Sequence, residues 1–143
     1  METKKQKEFT PESIVDFLIE RNYANSIHTY DLVKDDKSYR IKYKSLSTFD
    51  YGELKLKCRT ATPQGNIVLD ETRFYCEVIA KCCIEPNFND TSLLSKANCT
   101  TPVQFVSTMF APLEIEIIAE VILTNSGVDD KTIDKSIEQV KKL

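Results

Sequence analysis

The stretch Lys34-Asp35-Asp36-Lys37-Ser38-Tyr39-Arg40-Ile41-Lys42-Tyr43-Lys44 decides the fold class. Tyr39, Ile41 and Tyr43 alternate with Arg40, Lys42 and Lys44, the period of two that makes one side of a strand dry and the other wet. Lys34-Asp35-Asp36-Lys37 is a polar turn, and residues 26–33 before it supply a second arm, so 26–46 reads as an antiparallel hairpin. Period two is confined to this stretch, and stripes at helical spacing fill the remainder. The expectation is an α+β fold, a small antiparallel β-hairpin sheet packed on a mostly helical domain.

Upstream of the hairpin, Thr10 suits an N-cap and Pro11 the first helical position. Phe9 can staple onto Ile14, which predicts a helix over 11–21 with Phe17 and Leu18 on its apolar face. Downstream, Ser47-Thr48-Phe49-Asp50 opens a helix over about 48–60, with Leu46 stapling to Tyr51 ahead of Leu54 and Cys58. Thr62-Pro63-Gln64-Gly65-Asn66 is a turn, 67–69 a short strand, and Asp70 an N-cap. The helix after it has a wide apolar stripe of Phe74, Tyr75, Val78, Ile79, Cys82 and Cys83. Arg73, Glu77 and Lys81 lie four apart on its opposite side as attracting neighbours, and Pro86 stops it.

A short helix follows over 90–97. Thr101-Pro102 opens another, carrying Val103, Val106 and Phe110. Pro112 opens one with a stripe of Leu113, Ile117, Ile118, Val121 and Ile122, and Gly127 suits its C′ position. Asp129 suits the cap of a last helix to Lys142 whose apolar face is Ile133, Ile137 and Val140. All 143 residues then read as a single domain, with 1–8 a flexible tail and 129–143 a loosely docked C-terminal helix.

Several function classes drop out on residue type. Gly52, Gly65 and Gly127 are the only glycines, too far apart for a dinucleotide-binding or phosphate-binding glycine loop. His28 is the lone histidine, which removes two-histidine metal motifs, and no G-x-S-x-G is present. Cys58, Cys76, Cys82, Cys83 and Cys99 contain no C-x-x-C pair, and the vicinal Cys82 and Cys83 sit in an apolar helix. Core thiols therefore explain them better than zinc, a disulfide framework or a nucleophile aided by His28. No apolar run exceeds three residues and no apolar h-region follows Met1, so neither a signal peptide nor a membrane span is read, and the compartment expected is the cytoplasm. Neither a catalytic residue nor a cofactor or metal site is assigned.

The net charge of −3 conceals a polarity. Between Lys34 and Arg59 eight bases face four acids, whereas between Glu85 and Asp130 seven acids face only Lys96. The strand at 39–44 mixes aromatic and basic residues as nucleic-acid-binding sheets do, but alternation sends the two kinds to opposite faces. With the chain acidic overall, nucleic acid is not the expected partner.

The run Cys82-Cys83-Ile84-Glu85-Pro86-Asn87-Phe88-Asn89-Asp90, followed by Leu93 and Leu94, resembles a segment of the XkdN-like phage tail assembly chaperones. Around it the order of motifs is also similar. Ile14-Val15-Asp16-Phe17-Leu18, Tyr39-Arg40-Ile41-Lys42 with Leu46, Tyr51-Gly52-Glu53-Leu54 with Cys58, and Phe74 to Ala80 precede it. Met109-Phe110-Ala111-Pro112-Leu113-Glu114-Ile115 and a helix ending at Asn125-Ser126-Gly127 follow, so that the likeness covers most of 12–128. The resemblance implies a small non-catalytic factor of a phage or prophage-derived tail. Such a factor would bind the tape measure protein in the bacterial cytoplasm, keep it soluble during assembly, and be absent from the mature particle. Families of this kind often also make a longer form by translational frameshifting. The competing expectation is a structural component retained in a tail or tail-like particle.

A tape measure is a long chain rich in apolar helix, and unburied surface of that kind self-associates until something covers it. A chaperone for it needs an apolar face rather than a reactive group. The chain carries more apolar helix surface than a core of its size requires. The candidate partner-binding residues are Phe88, Leu93, Leu94, Phe105, Met109, Phe110 and Ile117, within an acidic stretch from about Phe88 to Ile122. Self-association is a further expectation.

Overall fold

In a computed structural model, residues 10–21 and 26–128 are described. The order of elements is α1 (Pro11–Arg21), β1 (Ile27–Lys34), β2 (Lys37–Lys44), α2 (Thr48–Lys57), β3 (Arg59–Ala61), β4 (Ile67–Leu69), α3 (Glu71–Cys82), β5 (Cys83–Glu85), α4 (Thr91–Lys96), α5 (Pro102–Met109) and α6 (Pro112–Asn125). A three-stranded antiparallel sheet, ordered β1-β2-β5, packs with the helices, and β3 pairs with β4 in a separate two-stranded ribbon. The fold class is α+β, as the alternation at 39–44 implied.

The hairpin turns through Asp35 and Asp36, whose φ of 53° and 61° are the positive pair that a type I′ turn requires. Tyr30 faces Ile41 and His28 faces Tyr43 across the strands. Only the far half of the expected dry face is buried: Ile41 and Tyr43 are core, whereas Tyr39, near the turn, is 60% exposed. The difference arises because β5 pairs only with Lys42 and Tyr43, leaving the turn end of the hairpin beyond the core.

The helix starts follow their caps. Thr10, Ser47, Asp70, Asp90 and Thr101 each accept a backbone N–H from the first turn of the helix they open, at 2.9 to 3.3 Å. α6 begins at Ala111-Pro112, where Glu114 Oε1 accepts the Ala111 N–H at 2.8 Å. α4 and α6 close with the same device. Asn98 and Gly127 take φ of 57° and 87°. The N–H groups of Cys99 and Val128 then reach back to Leu94 O and Leu123 O, both at 2.8 Å. These are Schellman endings, and they satisfy carbonyls that the helix leaves unpaired.

Three expectations need correcting. The second helix stops at Lys57, and 59–61 leave it as β3, pairing Arg59 with Leu69, Thr60 with Val68 and Ala61 with Ile67. The third helix stops at Cys82, before Pro86, because Cys83–Glu85 forms the edge strand β5. Glu77 is not on a solvated side: it is 8% exposed and pairs with Lys57 Nζ at 2.8 Å, while Lys81 pairs with Asp50 at 3.4 Å. The mobile tail expected at 1–8, the Phe9 staple and the last helix at 129–143 lie outside the described residues.

α3 is the centre of the core. Every residue from Phe74 to Ala80 is buried, with α2, α5 and α6 packed around it. All five cysteines are buried and free. Burial pushes the Cys82 and Cys83 thiols up to about 12, because a thiolate there would lose its water. Cys58 and Cys76 shift the same way, chiefly through burial.

Candidate functional site

The loop from Pro86 to Asp90 is wound by its own polar groups. Asn87 Oδ1 accepts the Asn89 N–H at 3.0 Å, and the Asp90 N–H donates to Asn87 O at 3.1 Å. This winding turns Phe88 inward, where it is fully buried. Its ring lies 5.2 Å from Phe105 and 6.0 Å, edge to face, from Phe110. The three rings tie the loop to α5 and to the corner between α5 and α6.

The seven candidate residues therefore occupy three depths. Phe88 and Leu94 are core, at 0% and 7% exposure. Leu93, Phe105 and Phe110 are half-buried against that core. Met109 and Ile117 are open, at 50% and 38%. Phe105 and Phe110 come together around Phe88 at the end of α5, with the exposed Met109 next to Phe110 in the chain, whereas Ile117 is exposed on α6.

Of the stripe expected on α6, Ile118 and Ile122 are core and Val121 packs half-buried against it, whereas Leu113 and Ile117 are 64% and 38% exposed; Ile115, Ala119 and Leu123 complete the inward face. α6 is apolar on two faces, so spacing alone fits either one. The inward face is the one that α3 covers.

Beside Phe110 a groove of about 210 Å³ opens between the start of α3 and the α5–α6 corner. Tyr75, Cys76, Phe110, Pro112 and Ile115 supply its apolar wall, and Glu71 and Glu116 stand at its edge. Glu71 accepts the Tyr75 hydroxyl at 2.9 Å, which fixes the ring. Tyr75 and Glu71 precede the acidic stretch singled out in the sequence and were not read as site residues. Only the packing of α3 on α6 brings them to the groove.

A second groove of about 310 Å³ runs along Ile117, Glu120, Val121, Thr124 and Asn125. Its Asn125 end is fastened to the sheet. Asn125 Nδ2 donates to Tyr43 Oη, the Ser45 hydroxyl donates to Asn125 O at 3.1 Å, and the Leu46 N–H donates to Ser126 Oγ at 2.8 Å. Burial raises the Tyr43 phenol, and the hydrogen bond from Asn125 works against that shift.

Among the described residues no group of three or more His, Cys, Asp or Glu is placed to hold a metal ion, and no helix is long and apolar enough to cross a membrane. The groove beside Phe110 offers apolar surface with acidic edges.

Known proteins place this architecture. The crystal structure of the protein yqbn superposes with a TM-score of 0.51 over 73% of this chain and 88% of that one, at 16% identity, a likeness of fold. No curated protein matches. The family model described as phage XkdN-like tail assembly chaperone protein matches residues 15–141, nearly the whole chain. With that match running over most of its length, the chain belongs to the phage XkdN-like tail assembly chaperones.

Proposed function

We propose that the protein binds an apolar, helix-prone segment of a phage tape measure protein in the bacterial cytoplasm and keeps it soluble until the tail tube encloses it. The observation that carries this reading is the groove beside Phe110. It has an apolar wall with Glu71 and Glu116 at its edge and Met109 exposed nearby, next to the aromatic cluster of Phe88, Phe105 and Phe110. An apolar centre with a charged edge holds a helix by burial and chooses its register by charge. The partner segment accordingly carries lysine or arginine beside its apolar residues. Phe110 and Met109 make the direct contacts, with Phe105 and Leu93 flanking, and Phe88 and Leu94 hold the surface in shape from beneath. Ile117 lies at the margin.

The test is co-expression with the tape measure protein, read as soluble yield and co-purification, together with mass spectrometry of finished particles. The chaperone reading expects a soluble complex and no copy of this chain in the particle. A tape measure equally soluble without it, or this chain retained in the particle, contradicts that reading and favours a structural component.

A further inference from the structure

α3 has a groove on each of two sides, and the two differ in how their charges are met. On one side a groove of about 860 Å³ holds the bases Lys44, Lys57, Arg73 and Lys81 together with Glu53 and Glu77. Lys57 pairs with Glu77 at 2.8 Å, so the buried carboxylate there is answered within the chain, and Lys81 pairs with Asp50 at 3.4 Å. On the other side, the lining of the groove beside Phe110 includes two charged residues, Glu71 from α3 and Glu116 from α6, and no base. Both are exposed, and neither forms an ion pair among the described residues.

Size and wall limit the occupant. At about 210 Å³ the groove is smaller than the roughly 300–1,000 Å³ of sites that enclose a whole small ligand, and it suits one large side chain. Its wall includes the rings of Tyr75 and Phe110. Cys76 lies beneath at 2% exposure, and burial raises its thiol, so that side of the groove stays uncharged. The Ser107 hydroxyl donates to Gln104 O at 3.1 Å, which leaves its lone pairs to accept.

A purely apolar side chain would match the wall but take water from Glu71 and Glu116 without replacing it. Lysine brings a charge that is strongly hydrated and gives up its water reluctantly. A guanidinium is more weakly hydrated, stacks on aromatic rings and forks onto carboxylates, and its aliphatic stem lies along apolar surface.

We propose that the groove beside Phe110 is a socket for one arginine side chain of a partner polypeptide, with the stem along the Tyr75 and Phe110 wall and the guanidinium between Glu71 and Glu116. This rests on the reading that a polypeptide meets the groove, and it narrows a basic partner to one residue type at one place.

NMR of amide groups in the full chain, titrated with N-acetyl-arginine methylamide and without any tape measure protein, tests it. Amides of 71–76 and 107–116 should shift saturably, with a Kd on the order of 1 mM. The citrulline analogue, alike in shape but uncharged, should bind at least about tenfold more weakly, and the lysine analogue at least about threefold. Glu71→Gln and Glu116→Gln combined should weaken the arginine probe at least about tenfold, while the amide oxygen at 71 still accepts the Tyr75 hydroxyl. Glu53→Gln, across α3, should leave the probe's affinity unchanged. The citrulline comparison uses the unmodified chain, so it decides the matter even if the double variant fails to fold. Absence of saturable shifts at these amides, equal binding of the citrulline or norleucine analogue, or tighter binding of free L-arginine than of the blocked form, which would mark an amino-acid site, would each overturn the proposal. Saturable arginine binding by a chain that forms no complex with a tape measure protein would support the socket and refute the tape measure as its partner.

Discussion

α3 and α6 pack against each other, yet they treat their apolar residues differently. α3 buries seven residues in succession, including the charged Glu77, and has neighbours on nearly every side. α6 buries one face and leaves Leu113 and Ile117 outside. Apolar surface at the centre of a small fold stabilises the fold. Apolar surface on a peripheral helix that already has one face packed is available for something else.

Phe74→Ala in α3 should cost about 3–5 kcal/mol of stability, as loss of a fully buried aromatic ring does. Leu113→Ser on α6 should change stability by less than about 0.5 kcal/mol. Comparable losses in denaturant midpoint for the two would abolish the distinction.

Next in size is the Lys57–Glu77 pair. Lys57→Ala strands a buried carboxylate and should cost about 1–3 kcal/mol, and Glu77→Gln in the same chain should recover part of that loss, because the group left behind is then neutral.

Alkali sharpens the same contrast. In the unfolded chain Cys82 and Cys83 titrate near the usual 9, and in the folded protein burial holds them up to about 12. Above pH 9 the unfolded chain therefore binds fewer protons, and stability should fall as pH rises, by about 1.4 kcal/mol per unit for each thiol. Below pH 9 this contribution is fully present. Replacing both by alanine should flatten the slope of unfolding free energy between pH 9 and 11. In the native state at neutral pH, thiol reagents should label the two slowly.

A smaller loss than those in α3 is expected of Tyr43→Phe, which removes the hydroxyl that Asn125 donates to. A loss of about 1 kcal/mol in thermal or denaturant unfolding would match one net hydrogen bond.

Much of this fold was legible in sequence because local rules settle it. The caps at Thr10 and Asp70, the helix openings at Ser47 and Thr101-Pro102, the polar turn at 34–37 and Gly127 act within a few residues of themselves. β3 and β5 were missed because each follows directly on a helix whose apolar spacing, through Cys58 in one and Cys82 and Cys83 in the other, carried the helical reading past its end. A signal for β3 did exist, since the Thr62–Asn66 turn separates Arg59-Thr60-Ala61 from Ile67-Val68-Leu69 as a hairpin loop does. The face of α6 was legible only in part, with Ile118 and Ile122 inward as read and Leu113 and Ile117 not, because apolar residues lie on more than one side of the helix and only the position of α3 chooses among them. Glu77 looked solvated because helix spacing gave it Arg73 and Lys81 as neighbours, while its partner Lys57 is twenty residues away. For the site, the residues that carry the family likeness, Phe88, Asp90 and Asn125-Ser126-Gly127, turn out to be turn and packing elements. The groove needs Glu71 and Tyr75 from another helix, a tertiary coincidence that no single stretch displays.

On the proposed function, the groove edge beside Phe110 grips the partner while α3 holds the fold. The most direct measurement is the affinity of the full chain for the tape measure protein with Met109→Asp and Glu116→Lys combined, alongside thermal unfolding of the same variant. The account predicts binding weakened at least about tenfold with the unfolding temperature essentially unchanged, since both positions are exposed. Undiminished affinity in a variant that remains folded would contradict it.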